Sequence, residues 1–117
     1  MSFLFILNDP PYGTERTYNG LRLAINLLVK NEGAKVNVFL MGDAASSSKS
    51  GQKTPNGYYN IEKMLMSVMN KGGSILVCGT CMDARGITET ELTTGARRST
   101  MDELTELTSS TDKVLVF

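Results

Sequence analysis

The chain contains no histidine. That absence removes Ser-His-Asp and Cys-His nucleophile systems, and every metal site that uses imidazole. Only two cysteines occur, whereas a structural zinc site normally takes four Cys or His ligands. Zinc would have to be shared between two subunits, so no metal and no cofactor are expected. Charge of one sign is also missing: 12 Lys and Arg balance 12 Asp and Glu. A neutral chain has no global field to attract nucleic acid or an anionic membrane, and neither is expected as a direct partner. No apolar run approaches the roughly 20 residues needed to cross a bilayer. The N-terminal stretch Met1 to Leu7 lacks a basic leader and meets Asp9-Pro10-Pro11 at once, so it reads as a strand and not a signal peptide. The expected location is cytoplasmic, where two cysteines are not a structural staple.

What is present suits one globular domain, residues 1–117. A hydrophobic fraction of 41% is ordinary for a folded protein, and a chain of this length buries roughly two-thirds of its extended surface. The continuous apolar run Phe3 to Leu7 reads as a strand covered on both faces. Thr14 is positioned to cap a helix running to about Asn31, closed by Gly33. Val36 to Met41 is the second strand. Residues 42–60, rich in Ser, Gly, Lys and Pro, read as a long loop with at most one helical turn. Asn60 then caps a helix with Ile61, Met64, Leu65, Val68 and Met69 at spacings of three and four. Gly72-Gly73 ends it, and Ser74 to Val77 is the third strand. Thr88-x-x-Glu91 and Thr100-x-x-Glu103 fit capping boxes and predict two short helices. Residues 95–98 are a fourth strand of poor β propensity, and Lys113 to Phe117 is the last.

Alternation of this kind predicts a flavodoxin-like (Rossmann-like) α/β three-layer sandwich with a mostly parallel five-stranded sheet. Ligands in such sheets sit beyond the C-terminal strand ends, where the strand order reverses. With the first and third strands as neighbours, the loops 8–13 and 78–86 flank that crevice. Both cysteines lie in the second of these, in Leu76-Val77-Cys78-Gly79-Thr80-Cys81-Met82-Asp83-Ala84-Arg85-Gly86.

A pair of thiols three residues apart can fill space, shuttle between dithiol and disulfide, or carry sulfur. The polar loop around this pair favours chemistry, and there the thiolate is what matters. Cys78 follows a strand and precedes a helical turn, Arg85 is placed to fold back over it, and Lys49 and Lys53 are candidate lid residues for an anionic sulfur species. Asp83 would act against a thiolate. Asn8 and Tyr12 are candidate crevice residues. The segment Pro11-Tyr12-Gly13-Thr14 is not a phosphate loop.

Several colinear blocks resemble the DsrE-like (DsrE/DsrF/TusD) family, and within it the YchN subgroup. They are Pro11-Tyr12-Gly13, Leu21-Arg22-Leu23-Ala24-Ile25, Val38 to Ala44, Gly51-Gln52-Lys53, Tyr59-Asn60-Ile61, Cys78-x-x-Cys81-x-Asp83-x-Arg85-Gly86-Ile87 and Asp112 to Leu115. The resemblance implies a flavodoxin-like fold, assembly into trimers or hexamers, and transport of sulfane sulfur as a cysteine persulfide between protein donors and acceptors. The carrier cysteine then falls on Cys78, with Arg85-Gly86 as the family's Arg-Gly pair. Two departures stand out: Ala84 where carriers commonly have arginine, and a second cysteine, Cys81, which carriers generally lack. Cys81 is a candidate resolving thiol, since its attack on a Cys78 persulfide would leave a disulfide.

The leading expectation is therefore a sulfur-relay protein, a sulfur carrier or sulfurtransferase, acting through Cys78, Cys81 and Arg85, with Asn8, Tyr12, Lys53 and Gly86 lining the ligand side. The alternatives are a module that binds a small ligand or anion with structural cysteines, and a CxxC dithiol redox protein. The wide apolar circumference of the first helix and the methionines of the next predict a homo-oligomer whose neighbouring subunit helps to shape the Cys78 pocket through residues 43–58.

Overall fold

The chain alternates strand and helix as its apolar periodicity predicts. In a computed structural model describing residues 1–117, the strands are β1 (Ser2–Leu7), β2 (Lys35–Leu40), β3 (Ser74–Cys78), β4 (Arg97–Ser99) and β5 (Lys113–Val116). The helices are α1 (Arg16–Lys30), α2 (Ile61–Asn70), α3 (Gly79–Ala84) and α4 (Met101–Ser110). All strand pairs are parallel, and the sheet runs β4-β3-β2-β1-β5.

The α/β layering is the one expected, but β2 lies between β1 and β3, which are therefore not neighbours. The reason lies in the connections. Each step from β1 to β4 advances one strand in the same direction, and right-handed crossovers then place α1, α2 and α3 on one face. The last connection returns past β1, so α4 falls on the other face. Packing agrees with this. Eighteen buried residues form the larger core, including Phe5, Val38 and Val77 of the sheet with Leu21, Leu65 and Met82 of α1, α2 and α3. Leu104 of α4 packs on Leu4, Phe39, Leu76 and Cys78 in a smaller cluster on the opposite face.

Reversal of direction sets the crevice. The chain leaves β3 toward α3 on one face and leaves β4 toward α4 on the other. The gap between the C-terminal ends of β3 and β4 is thus the topological switch point, and not the space between the loops after β1 and β3.

Local signals are met in some places and diverted in others. Asn60 caps α2, its side chain accepting from the Lys63 N–H at 3.1 Å, and Thr100 does the same for α4 with the Glu103 N–H at 3.2 Å. Thr14 gives α1 only a long cap bond: its hydroxyl accepts from the Arg16 N–H at 3.4 Å while donating to Asp9 at 3.1 Å, and the helix starts at Arg16 behind Glu15, whose own side chain caps nothing. The Thr88–Glu91 capping box forms, yet it opens only a single 3-10 turn, Glu89–Glu91. There the chain is diverted into pairing with residues 48–50, through Ser50 N–H to Glu91 O (2.8 Å) and Thr93 N–H to Ser48 O (2.7 Å). Long-range pairing outcompetes a short helix with little to bury. The long loop 42–60 opens with a 3-10 segment, Gly42–Ser48, whose Ala44, Ala45, Ser47 and Ser48 are buried.

Candidate active site: two thiols at the end of β3

Cys78 is the last residue of β3 and the N-cap of α3, with φ −56° and ψ 117°. The chain turns there from strand into helix. This turn aims the Cys78 sulfur back at the first helical turn, where it accepts from the Cys81 N–H at 3.4 Å and lies 3.3 Å from the Thr80 hydroxyl. Cys78 is only 5% exposed and packs on the α4 side of the sheet. Cys81 is half-buried, and its sulfur accepts from the Gly42 N–H at 3.1 Å. Both cysteines are free thiols.

Their acidities diverge. Burial pushes the Cys78 thiol up, but hydrogen bonds from Cys81 and Thr80, side chain and backbone, outweigh it and hold the group below its ordinary value. Cys81 moves the other way. Burial and its interaction with Cys78 raise it, against smaller opposing effects from the Gly42 amide and the Arg85 charge. One thiol is thus poised to ionise while its neighbour keeps its proton, the division of labour that nucleophile and resolving thiol require.

Two arginines flank the pair, one on each side. Arg85 sits against Cys81: Nη1 donates to the Cys81 carbonyl at 3.1 Å, while Nε and Nη2 donate to Asp43 Oδ1 at 3.1 and 2.8 Å. The arginine beside Cys78 is Arg98, at the end of β4. Cys78 pairs with Ser99 in the sheet register, which brings Arg98 alongside. Both terminal nitrogens of Arg98 donate to Asp83, at 2.7 and 2.9 Å. Asp83 is consequently engaged by an arginine, and Arg98 holds its carboxyl below the usual carboxylate value. Between the two strand ends opens a cavity of about 150 Å³, lined by Cys78, Gly79, Thr80, Arg98, Ser99, Thr100 and Met101. Larger surface depressions exist, such as one of about 600 Å³ along α1 with Asn19 and Arg22, but no thiol lines it.

The remaining candidates fall elsewhere. The Asn8 side-chain amide donates to the Phe117 carbonyl at 3.1 Å and clasps the end of β5. The Tyr12 hydroxyl donates to Gln52 Oε1 at 2.6 Å and accepts from the Ile61 N–H at 3.0 Å, tying the β1–α1 loop to the start of α2. Lys53 is exposed in the long loop, and Lys49 is paired with Glu91 at 3.2 Å. Gly86 takes φ 66°, the left-handed turn that ends α3 and lets the Ile87 N–H reach the Met82 carbonyl at 3.0 Å. Thr80 falls in the polar loop that the sequence marks around the cysteines, whereas Arg98 and Gly42 lie outside every site motif. Arg98 carried a faint signal, as an arginine in a strand of otherwise poor propensity. No group of three or more His, Cys, Asp or Glu side chains is placed to hold a metal ion.

This arrangement, a CxxC at a strand end in a parallel α/β sheet, defines a thiol-bearing α/β protein. The sequence model of the DsrE/DsrF-like family matches residues 1–117. The chain is 40% identical over 114 residues to Protein YchN of Escherichia coli K12, covering 97% of both chains. It is 36% identical over 117 residues, the whole of both chains, to the uncharacterized protein MJ0989 of Methanocaldococcus jannaschii. The crystal structure of the Escherichia coli YchN protein superposes with a TM-score of 0.94 at 39% identity, over 99% of this chain and 98% of that one. The Methanobacterium thermoautotrophicum protein MTH1491 shares the fold at a TM-score of 0.79 and 12% identity, over 99% of this chain and 97% of that one. This chain belongs to the DsrE/DsrF-like family.

Proposed function

We propose that this protein is a cytoplasmic sulfur-relay protein that carries sulfane sulfur as a persulfide on Cys78. The observation that carries this reading is the opposed tuning of two adjacent thiols, Cys78 down and Cys81 up, beside a cavity open to a small donor. In loading, the Cys78 thiolate attacks the outer sulfur of a donor persulfide. A new S–S bond forms, the donor's own S–S bond breaks, and its thiolate leaves. In delivery, an acceptor thiolate takes the outer sulfur and Cys78 departs as thiolate. Without an acceptor, Cys81 attacks Cys78 Sγ, its proton passes to the leaving sulfur, and hydrosulfide departs. A Cys78–Cys81 disulfide remains, which a cellular dithiol reduces for the next cycle.

Incubation of native protein with a sulfane donor, followed by intact-mass measurement, tests the reading. One added sulfur on Cys78, absent in Cys78→Ser and longer-lived in Cys81→Ser, is expected. Protein that gains no sulfur mass under conditions that load a known carrier overturns it.

The protein acts as a homo-oligomer. α4 alone covers one face of a five-stranded sheet, and on that face Val114 and Val116, in register with Leu4 and Ile6, are 39% and 65% exposed. Leu23, Val29 and Met66 are exposed on the α1 and α2 side. A second copy seated against β5 and α4 covers apolar surface that a monomer leaves wet.

A further inference from the structure

Arg98 lies flat on Gly79. A Cβ built at Gly79 would sit 2.7 Å from Arg98 Nε, 2.8 Å from Cζ and 2.9 Å from Nη2, closer than any side chain permits. The glycine is thus what lets a guanidinium reach the mouth of the Cys78 cavity, and its φ is not positive, so no backbone demand explains it. Asp83 occupies two of the five N–H donors of the guanidinium. Three donors remain, one on each nitrogen. The cavity is about 150 Å³, well below the roughly 300 Å³ at which sites for drug-sized ligands begin. Space of that order holds about six non-hydrogen atoms. The site thus combines a thiol of lowered pKa, a planar cation with unused donors, and room for one small ion.

We propose that this crevice receives a small sulfur oxyanion carrying a sulfane sulfur, of which thiosulfate is the smallest, with Arg98 as its anchor and Asp83 as the latch that holds Arg98 in place. The proposal rests on the carrier reading above and names its donor class. A planar guanidinium matches an oxyanion through paired hydrogen bonds, whereas a neutral polysulfide offers it nothing. The Cys78 thiolate attacks the outer sulfur of thiosulfate, and the Cys78 Sγ–S bond forms. The bond between outer sulfur and sulfonate breaks, and its electron pair leaves with sulfite. The outer sulfur stays on Cys78 as the persulfide anion. Charge and atoms balance with no oxidant, reductant or proton required.

The anchor is tested without sulfur transfer, by comparing the alkylation rates of Cys78 with anionic iodoacetate and neutral iodoacetamide, located by tandem mass spectrometry. Arg98→Met should lower the iodoacetate-to-iodoacetamide ratio about tenfold, the size of one charge-assisted hydrogen bond. Gly79→Ala should do the same by pushing the guanidinium aside with its charge intact, and it carries the test if Arg98→Met does not fold. Arg98→Lys should keep much of the ratio, and Asp83→Asn, which releases Arg98 from its latch, should weaken protection by sulfite. Unchanged ratios in both Arg98→Met and Gly79→Ala, or sulfite protection equal in wild type and Arg98→Met, overturn the anchor. The donor is tested by loading with thiosulfate against glutathione persulfide. Thiosulfate loading with release of sulfite, lost in Arg98→Met, supports the proposal. Loading by glutathione persulfide alone overturns the donor class and leaves the carrier reading standing. Loading by neither donor overturns the carrier reading itself, and the proposal with it.

Discussion

Tyr12→Phe removes one oxygen from a junction that joins three parts of the chain. The Tyr12 hydroxyl gives its proton to Gln52 Oε1 at 2.6 Å and receives the Ile61 N–H at 3.0 Å. Gln52 loses little in the variant, because the same oxygen still accepts from the Glu62 N–H at 3.2 Å. Ile61 loses more. It is fully buried at the first position of α2, where a backbone N–H has no helical partner of its own. An orphaned buried donor costs about 1–3 kcal/mol, so about 2 kcal/mol of stability should go. With a urea m-value of about 2 kcal/mol/M, the midpoint falls by about 1 M at fixed protein concentration. Circular dichroism during urea titration reads this directly. A loss under about 0.5 kcal/mol, the ordinary range of surface changes, would refute the argument and mean that water replaces the hydroxyl. The variant should also leave the rate of Cys78 alkylation unchanged, because the Tyr12 hydroxyl serves the loop junction and Tyr12 is not among the residues lining the cavity at Cys78.

The pH dependence of Cys78 alkylation by iodoacetamide should have its midpoint below the free-cysteine value of about 8.5, because hydrogen bonds favour the thiolate; a midpoint above that value would contradict the tuning. Glu103 is lowered from 4.5 to about 2, first by Arg97 and then by Ser99. A carboxyl whose folded pKa is depressed contributes stability above its unfolded value and loses it as the pH falls through 4.5 toward about 2, so Glu103→Gln should flatten the acid limb of the melting temperature, and an unchanged limb would place the acid sensitivity elsewhere. Val116→Glu puts a charge on an exposed apolar edge strand and should shift sedimentation equilibrium toward monomer, whereas an unaltered assembly would move the interface to another face.

Local chemistry made much of the fold readable. The apolar runs at Phe3, Val36 and Ser74 are strands within one residue of the expected ends, because strands buried on both faces leave an unbroken hydrophobic signature. The caps at Asn60 and Thr100 are where side-chain oxygens predict them, since capping is settled within four residues. Thr14 and the Thr88 box show where that logic stops, when Asp9 in one case and the strand-like segment 48–50 in the other offer more than a helix end can.

The site divides along the same line. From the sequence alone come the CxxC, its place at a strand's C-terminal end, and the helical turn that follows it. Only the tertiary structure decides which charge meets which thiol. Arg85 is seven residues from Cys78 in the chain and yet attends Cys81 and Asp43. Arg98 is twenty residues from Cys78 and reaches it because β3 and β4 pair with Val77 opposite Arg98 and Cys78 opposite Ser99. Strand order is a global result of crossover handedness and of which helices share a face. No local pattern encodes it, and it is what puts the crevice between β3 and β4.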